Sequence, residues 1–449
     1  MPEPSATFTQ GSIARHVLTM AGTSGLSLLA VFLVDILTLA YVSRLGDQRL
    51  LAAVGLAKTL MFLNGALVSG VIIAAGALLS ERIGKHARQR LARLVTHLLI
   101  MAGVVSALTA GAEFLFLEPL GRWFAAIGDL DLSARSFICI TLVSSVPMAL
   151  AQMCAQLLKA QGHPQLALAT LLTGALTLAV ADPLLIFGFG MGIQGAGLSC
   201  LFAALFAMVA GLALVSRHLG VTLRANFKLF ALHCTRTARV AVPAMLANLA
   251  MPVGITYLMM TLAAFGTSVL AGMAVVDRIL QLGYCLYFAL PTALVPIIAQ
   301  NLGAGRDDRV AQAVRFTARL VVLYGVALWL TLMLSGPAIA DYFQLAGAGR
   351  DMLLAFTRLG AGLWILFGLD FVAQSTFLTM GTAWWVTVFG WLRGTAGTLP
   401  FVYLGAQWFG GVGALGAMWL GNAVVAVLAI VRALFLLRRF FSQCTAAIR

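Results

Sequence analysis

Three aspartates and one arginine stand deep inside long apolar runs. They are Asp35 within Leu33-Val34-Asp35-Ile36-Leu37, Asp182 within Ala181-Asp182-Pro183-Leu184, and Asp370 and Arg393 in successive runs nearer the C-terminus. An aspartate at the centre of a membrane helix costs about 2.5–3.5 kcal/mol on insertion scales. A chain keeps such groups where they face water, meet a partner or move an ion. At about 1.5 Å of rise per residue, Asp35 lies about 30 Å from Arg15, and Asp182 about 24 Å from Leu166, both in the outer half of their runs. Two carboxylates at similar depth can meet. Burial favours the protonated form of a carboxyl group, and a neighbouring carboxylate favours it further. Such a pair can pick up and release a proton or another cation. The bland alternative is that each carboxylate bonds a neighbouring helix and never titrates. Asp370 and Arg393 share a depth, about 18 Å and about 14 Å from the ends of their runs. They read either as a structural ion pair or as a cavity-facing acid tuned by Arg393. The neutral residues Asn64, Gln152, Gln156, Thr177, Asn248 and Gln281 also fall within the runs. Each either lines a cavity or bonds a neighbouring helix, the latter worth on average about 0.6 kcal/mol in membranes.

The elements holding these residues are membrane helices. The 449-residue chain is 61% hydrophobic and 10% charged, against about 45–50% and about 25% for soluble domains. A soluble core cannot absorb that surplus. One span needs about 20 apolar residues, and twelve runs qualify: 16–43, 50–78, 94–117, 136–158, 166–189, 195–217, 238–264, 269–300, 312–337, 355–378, 384–405 and 412–437. The chain also repeats itself. Ser80-Glu81-Arg82-Ile83-Gly84-Lys85, Gln161-Gly162-His163 and Ile193-Gln194-Gly195-Ala196-Gly197 align, 219 residues on, with Ala299-Gln300-Asn301-Leu302-Gly303-Ala304, Met380-Gly381-Thr382 and Val412-Gly413-Ala414-Leu415-Gly416. Leu45-Gly46 answers Phe265-Gly266 with a slip of one residue. The expected fold is an all-α polytopic membrane protein, with 12 transmembrane helices in two parallel, pseudo-twofold six-helix lobes. The widest polar break, Arg217 to Arg239, divides an N-lobe (1–222) from a C-lobe (235–449) through a cytoplasmic linker (223–234). Two equivalent halves rocking about a central site give the geometry of alternating access. Pro147, Pro183, Pro243, Pro252, Pro291 and Pro296 lie in interior runs, where kinks suit a moving cavity.

The formal charge of +14 follows topology. Of the 29 Lys and Arg, 20 fall on the side of the N-terminus, including Arg82, Lys85, Arg88, Arg90, Arg93, Arg224 and Arg449; seven, Arg122 and Lys58 among them, fall opposite. That excess marks the cytoplasmic face. Both termini are therefore expected in the cytoplasm and the chain in the cell (inner) membrane, with the bilayer rather than nucleic acid as its large partner. The polar segment before Arg15 does not resemble a removable signal peptide. The six Cys form no Cys-x-x-Cys pair, and no two His share ligand spacing on one helix, so no metal site is expected. Neither His-Glu-x-x-His nor Gly-x-Ser-x-Gly occurs, which argues against an enzyme. Gly190 to Gly195 fits G-x-G-x-x-G, but between two apolar runs rather than after a strand, so no dinucleotide cofactor is expected.

Val34-Asp35 through Arg44-Leu45-Gly46 to Ala52-Ala53-Val54-Gly55-Leu56-Ala57 resembles the first-helix region of the multidrug and toxic compound extrusion family. Gln300-Asn301-Leu302-Gly303-Ala304-Gly305 resembles its loop after the eighth helix, Asp182-Pro183-Leu184-Leu185-Ile186-Phe187-Gly188 its fifth helix, Gly195-Ala196-Gly197-Leu198 the start of its sixth, and Arg393 with Pro400 its eleventh. The resemblance runs from about residue 15 to 437. It implies twelve helices in two lobes, and export of amphipathic organic cations coupled to inward H⁺ or Na⁺. Asp35 and Asp182 match the family's coupling acids, and Asp370 matches a tenth-helix acid found in some members. Three positions depart from the pattern: Leu178 replaces an Asn, Met251 an acid, and Cys200 a hydroxyl, with Ser199 adjacent. Each loss removes an oxygen that a hard cation would want, so H⁺ is expected over Na⁺ at Asp35 and Asp182. The expected function is a proton-coupled multidrug antiporter that confers drug resistance, works as a monomer and has no cofactor beyond its coupling ion. The rival is a lipid-linked oligosaccharide flippase of the same wider superfamily, which needs a basic cavity for pyrophosphate.

Overall fold

A computed structural model of the chain describes residues 6–45, 48–86, 91–117, 132–222 and 227–448. Gly46, Arg88, Arg90, Arg122, Arg224 and Arg449, and residues 223–226 of the expected linker, lie outside these. Among the described residues every regular element is helical and none is a strand. Lipid offers the backbone no hydrogen bonds, so each segment satisfies its own.

The first seven spans are Ile13–Ser43, Gln48–Gly84, Leu91–Leu115, Leu132–Gln161, Pro164–Pro183, Gly192–His218 and Phe227–Ala263. Thr267–Gly283 and Cys285–Gly303 form the eighth, and Asp307–Tyr342 the ninth. Gly347–Ala355 and Ala361–Thr379, joined by a widened π turn, form the tenth. The eleventh begins as Trp384–Gly394, and the helical run Leu399–Ile448 completes it and carries the twelfth. Among the described residues eleven stretches are long and apolar enough to cross a membrane. The last, Trp384–Phe440, holds two spans, because Gly410 (φ 63°, ψ −151°) breaks it. The seventh helix starts at Phe227, ahead of the expected 238. Hydropathy marks where lipid begins, whereas the helix continues into its own basic turns.

The chain forms two compact units, Met1–Gln10 with Leu26–Met245, and Gly11–Gly25 with Leu246–Arg449. The repeat seen in the sequence recurs in backbone conformation. Gly162 and Gly381 are both left-handed, at φ 97° and 73°. The backbone amides that follow bond five residues back, His163 to Leu158 and Thr382 to Phe377. His86 (φ 52°) and Gly305 (φ 66°) form a second matched pair. Their amides bond Ile83 and Leu302, three residues back.

In the first unit one apolar cluster packs the second, third and fourth spans through Leu79, Leu94, Leu98, Met153 and Leu157. A second joins Val42, Ala53, Leu60, Phe137, Ile186 and Ile193, drawing the first, second, fourth and sixth spans around the end of the fifth. There Pro183 closes the α-helix, and Leu184–Gly188 continues as a π turn. Gly195 lies against it, since a Cβ at that position would sit 2.8 Å from the Leu185 carbonyl. This close approach sets the start of the sixth span beside Asp182.

Candidate functional site: a carboxylate cluster in the first unit

Asp182 is the last residue before the helix-ending Pro183, and its side chain is fully buried. Thr38 of the first span donates its hydroxyl to Asp182 Oδ2. Asp35 lies three residues before Thr38, one turn away on the same helix face, and acts electrostatically on Asp182. The first span thus offers Asp182 a hydroxyl and a second carboxylate together. Ser199 of the sixth span is also within reach of the Asp182 carboxylate. Its own hydroxyl donates to the Gly195 carbonyl at 2.9 Å, which leaves Asp182 Oδ1 buried with no hydrogen-bond partner among the described residues. Lys58 of the second span brings its ammonium to 3.4 Å from the Asp35 carbonyl oxygen. Cys200 lies within Coulombic reach of Asp182, Asp35 and Lys58 alike.

Sequence reasoning brought Asp35 and Asp182 to one depth, and here they share one polar cluster. It missed Thr38 and Lys58. The one signal for Thr38 was its place one turn from Asp35, which composition does not mark. Lys58 was counted with the outer loop charges, but it lies inside the helix Gln48–Gly84. Cys200 stands where a hydroxyl was expected to be lost, and the hydroxyl of the adjacent Ser199 is turned to the Gly195 carbonyl.

The second unit gathers another set. Arg393 of the eleventh span pairs with fully buried Asp370 of the tenth. Gln374, one turn on, donates to the same Asp370 oxygen at 2.6 Å. The guanidinium also lies 5.2 Å over the Phe367 ring, an attractive cation–π contact. Arg393 is held where its helix breaks. Thr398 donates to the Arg393 carbonyl at 2.8 Å, satisfying a backbone group the break has freed. The neutral candidates disperse. Asn64 is buried in a reciprocal amide–hydroxyl pair with Ser106 of the third span, 2.9 Å in each direction. Thr177 donates to Thr173 on its own helix at 2.7 Å, and Gln281 accepts from Arg278 at 2.9 Å. Gln156 is buried with its amide against Gly76, whereas Gln152 and Asn248 are half-buried on the fourth and seventh spans.

Comparison with known proteins gives this arrangement its family. A relative from Shewanella oneidensis, called an FAD transporter, is 26% identical over 347 residues, 74% of this chain and 75% of that protein. The Staphylococcus aureus multidrug export protein MepA is 20% identical over 399 residues, 88% of each. A crystal structure of a mutant form of the Vibrio cholerae MATE transporter VcmN superposes with a TM-score of 0.90 at 22% identity, covering 96% of this chain and 98% of that one. That likeness carries the fold of twelve membrane helices in two lobes. The MatE family's sequence model matches residues 24–184 and 243–404, one match in each half of the chain. With ion-bearing side chains placed inside membrane helices and the family pattern spanning both halves, the chain belongs to the MatE family of multidrug efflux transporters and is a multi-pass membrane protein, not an enzyme.

Proposed function

We propose that this chain is a proton-coupled antiporter that exports amphipathic organic cations by alternating access. The lobes 1–222 and 235–449 would be its moving halves, and both termini would lie in the cytoplasm. One observation carries the coupling role: a fully buried carboxylate, Asp182, has one oxygen held by Thr38 and the other without a partner among the described residues. That free oxygen is where a proton would sit. Asp35, one turn from Thr38, would exchange the proton with the outer side. Lys58 supports H⁺ over Na⁺ as the ion, because its ammonium takes up the Asp35 carbonyl oxygen, one of the several oxygens a hard cation would need and a proton would not. Asp370 would contribute through Arg393, since protonating it would release the arginine. An inward proton gains about 2.3 kcal/mol per 100 mV, against about 1.4 kcal/mol for each tenfold substrate gradient. A single chain suffices for this cycle.

The test is dye efflux in inverted membrane vesicles under an imposed pH gradient or an imposed Na⁺ gradient. Asp35→Asn and Asp182→Asn should abolish pH-driven movement while the protein still reaches the membrane. Wild-type efflux in both variants would end the assignment, and efflux driven by Na⁺ alone would replace the ion.

The similarity to a protein called an FAD transporter, at higher identity than to MepA, favours a second reading: export of a phosphate-bearing flavin. Flavin release from the same vesicles distinguishes it. The flippase reading has less support, because Arg393 is already occupied by Asp370.

A further inference from the structure

Below the transport cluster, at the basic end of the first unit, lies a group of residues that the transport cycle does not use. His97 of the third span and His233 of the seventh are both 2% exposed, and their Nδ1 atoms lie 2.8 Å apart. The edge of Phe230 meets the His97 ring at a centroid distance of 5.2 Å. Only one of two facing Nδ1 atoms can donate. If His97 donates, His233 must carry its hydrogen on Nε2, and that atom is buried with no hydrogen-bond partner among the described residues.

Cations surround the pair. Arg82, near the end of the second span, is within Coulombic reach of Arg236 and of His233. Arg93, in the first turn of the third span, acts on His97. Glu81 adjoins Arg82 but is bonded to Lys85 at 2.5 Å. Three guanidiniums from three helices therefore surround the buried imidazole pair, Arg82 and Arg236 on the His233 side and Arg93 on the His97 side. Such convergence is self-repulsive, and an anion relieves it. Exposed apolar side chains continue from this cluster along both helices, Leu232 and Val242 on the seventh and Ile100 and Val104 on the third, a surface suited to acyl chains.

We propose that Arg82, Arg93 and Arg236, together with His233 Nε2–H, hold the phosphate headgroup of an anionic membrane lipid. Guanidiniums match phosphate oxygens in fork geometry, and basic pockets between membrane helices recognise anionic headgroups. Flanking apolar surface favours a lipid over free phosphate. The site stands whichever substrate the transporter carries.

The experiment uses the full chain, purified in detergent and stripped of lipid. Binding of dioleoyl-phosphatidylglycerol and dioleoyl-phosphatidylcholine is followed by native mass spectrometry and by thermal shift, with inorganic phosphate as competitor. The anionic lipid should bind at least about tenfold more tightly than the zwitterionic one. Arg82→Gln/Arg236→Gln, and separately Arg93→Gln, should remove most of that preference. Arg306→Gln/Arg315→Gln, which removes equal charge from exposed positions of the second unit, should leave it intact. The assignment is overturned by equal binding of the two lipids, by equal loss in the control variant, or by displacement with millimolar phosphate, which would make this a site for a free anion.

Discussion

Asp182 and Asp370 are both fully buried aspartates in membrane helices, yet one has a hydroxyl for a partner and the other a guanidinium. The two halves share their turns but not their charges. The residues 219 on from Asp35 and Asp182 are Gly254 and Phe401, and those 219 before Asp370 and Arg393 are Ala151 and Gly174. Duplication has kept the left-handed turns at Gly162 and Gly381, where local sterics leave little choice, and has let the ionisable groups diverge. Each aspartate keeps one buried oxygen without a partner among the described residues. The difference is charge: Asp182 is bonded by a neutral hydroxyl, whereas Asp370 is compensated in place by Arg393. The two units thus pair a shared backbone pattern with unequal chemistry, a carboxylate bonded by a hydroxyl in one and a carboxylate–guanidinium pair in the other.

The sharpest way to break this comparison is to neutralise each carboxylate site in turn. Arg393→Gln would leave Asp370 buried without its counter-charge. Breaking one partner of a buried pair costs about 3–5 kcal/mol, so this variant should lose most of its membrane yield and melt far below wild type. Asp370→Asn/Arg393→Gln should recover much of that yield. Asp182→Asn removes no cationic partner and should retain normal yield and melting while transport stops. If Asp182→Asn were as unstable as Arg393→Gln, both sites would be structural and the contrast would vanish.

Thr38 gives a finer test within the first unit. A hydrogen bond to a charged group is worth about 1.5–3 kcal/mol. Thr38→Val should slow pH-driven dye efflux about tenfold or more, and Thr38→Ser should restore it. Equal efflux in Thr38→Val and wild type would remove the hydroxyl from the coupling path.

How much of this was legible in the sequence depends on the kind of signal. Continuous apolar runs fixed the spans, since lipid enforces them residue by residue. The deep aspartates stood out because their burial is costly. Thr38, Lys58 and Gln374 were harder to read. Each takes its role from a partner on another helix or from one turn along its own, and neither relation leaves a mark in composition. Asn64 is a case where the sequence left two readings open, a cavity or a neighbouring helix, and Ser106 on the neighbouring helix uses both ends of its amide. The divided eighth and tenth spans were also invisible, because no proline marks their breaks at Tyr284 and at Phe356–Gly360.

The matched turns offer a smaller, structural comparison. A non-glycine residue in left-handed backbone costs about 1–2 kcal/mol, so Gly381→Ala, with nothing within 4 Å of the new Cβ, should lose about that much. At Gly162 the same Cβ would also lie 2.7 Å from Thr7 Oγ1. Gly162→Ala should therefore melt lower than Gly381→Ala in detergent, and Thr7→Gly, which also removes the Thr7 Cβ 2.8 Å away, should narrow the gap. Equal melting of the two single variants would show that backbone conformation alone governs both turns.

The smallest expected effect concerns the second and third spans. Asn64 and Ser106 exchange hydrogen bonds in both directions between two helices, apart from the contacts of Asp182 with Thr38. Between membrane helices such interactions average about 0.6 kcal/mol and reach about 1.7 kcal/mol. A double-mutant cycle of Asn64→Ala and Ser106→Ala, read by reversible unfolding in mixed micelles, should give a coupling energy within that range. Efflux should fall only as far as the loss of folded protein requires. A near-zero coupling energy together with a large loss of transport would mean that Asn64 works at the cavity, and the first unit's polar machinery would then extend to the third span.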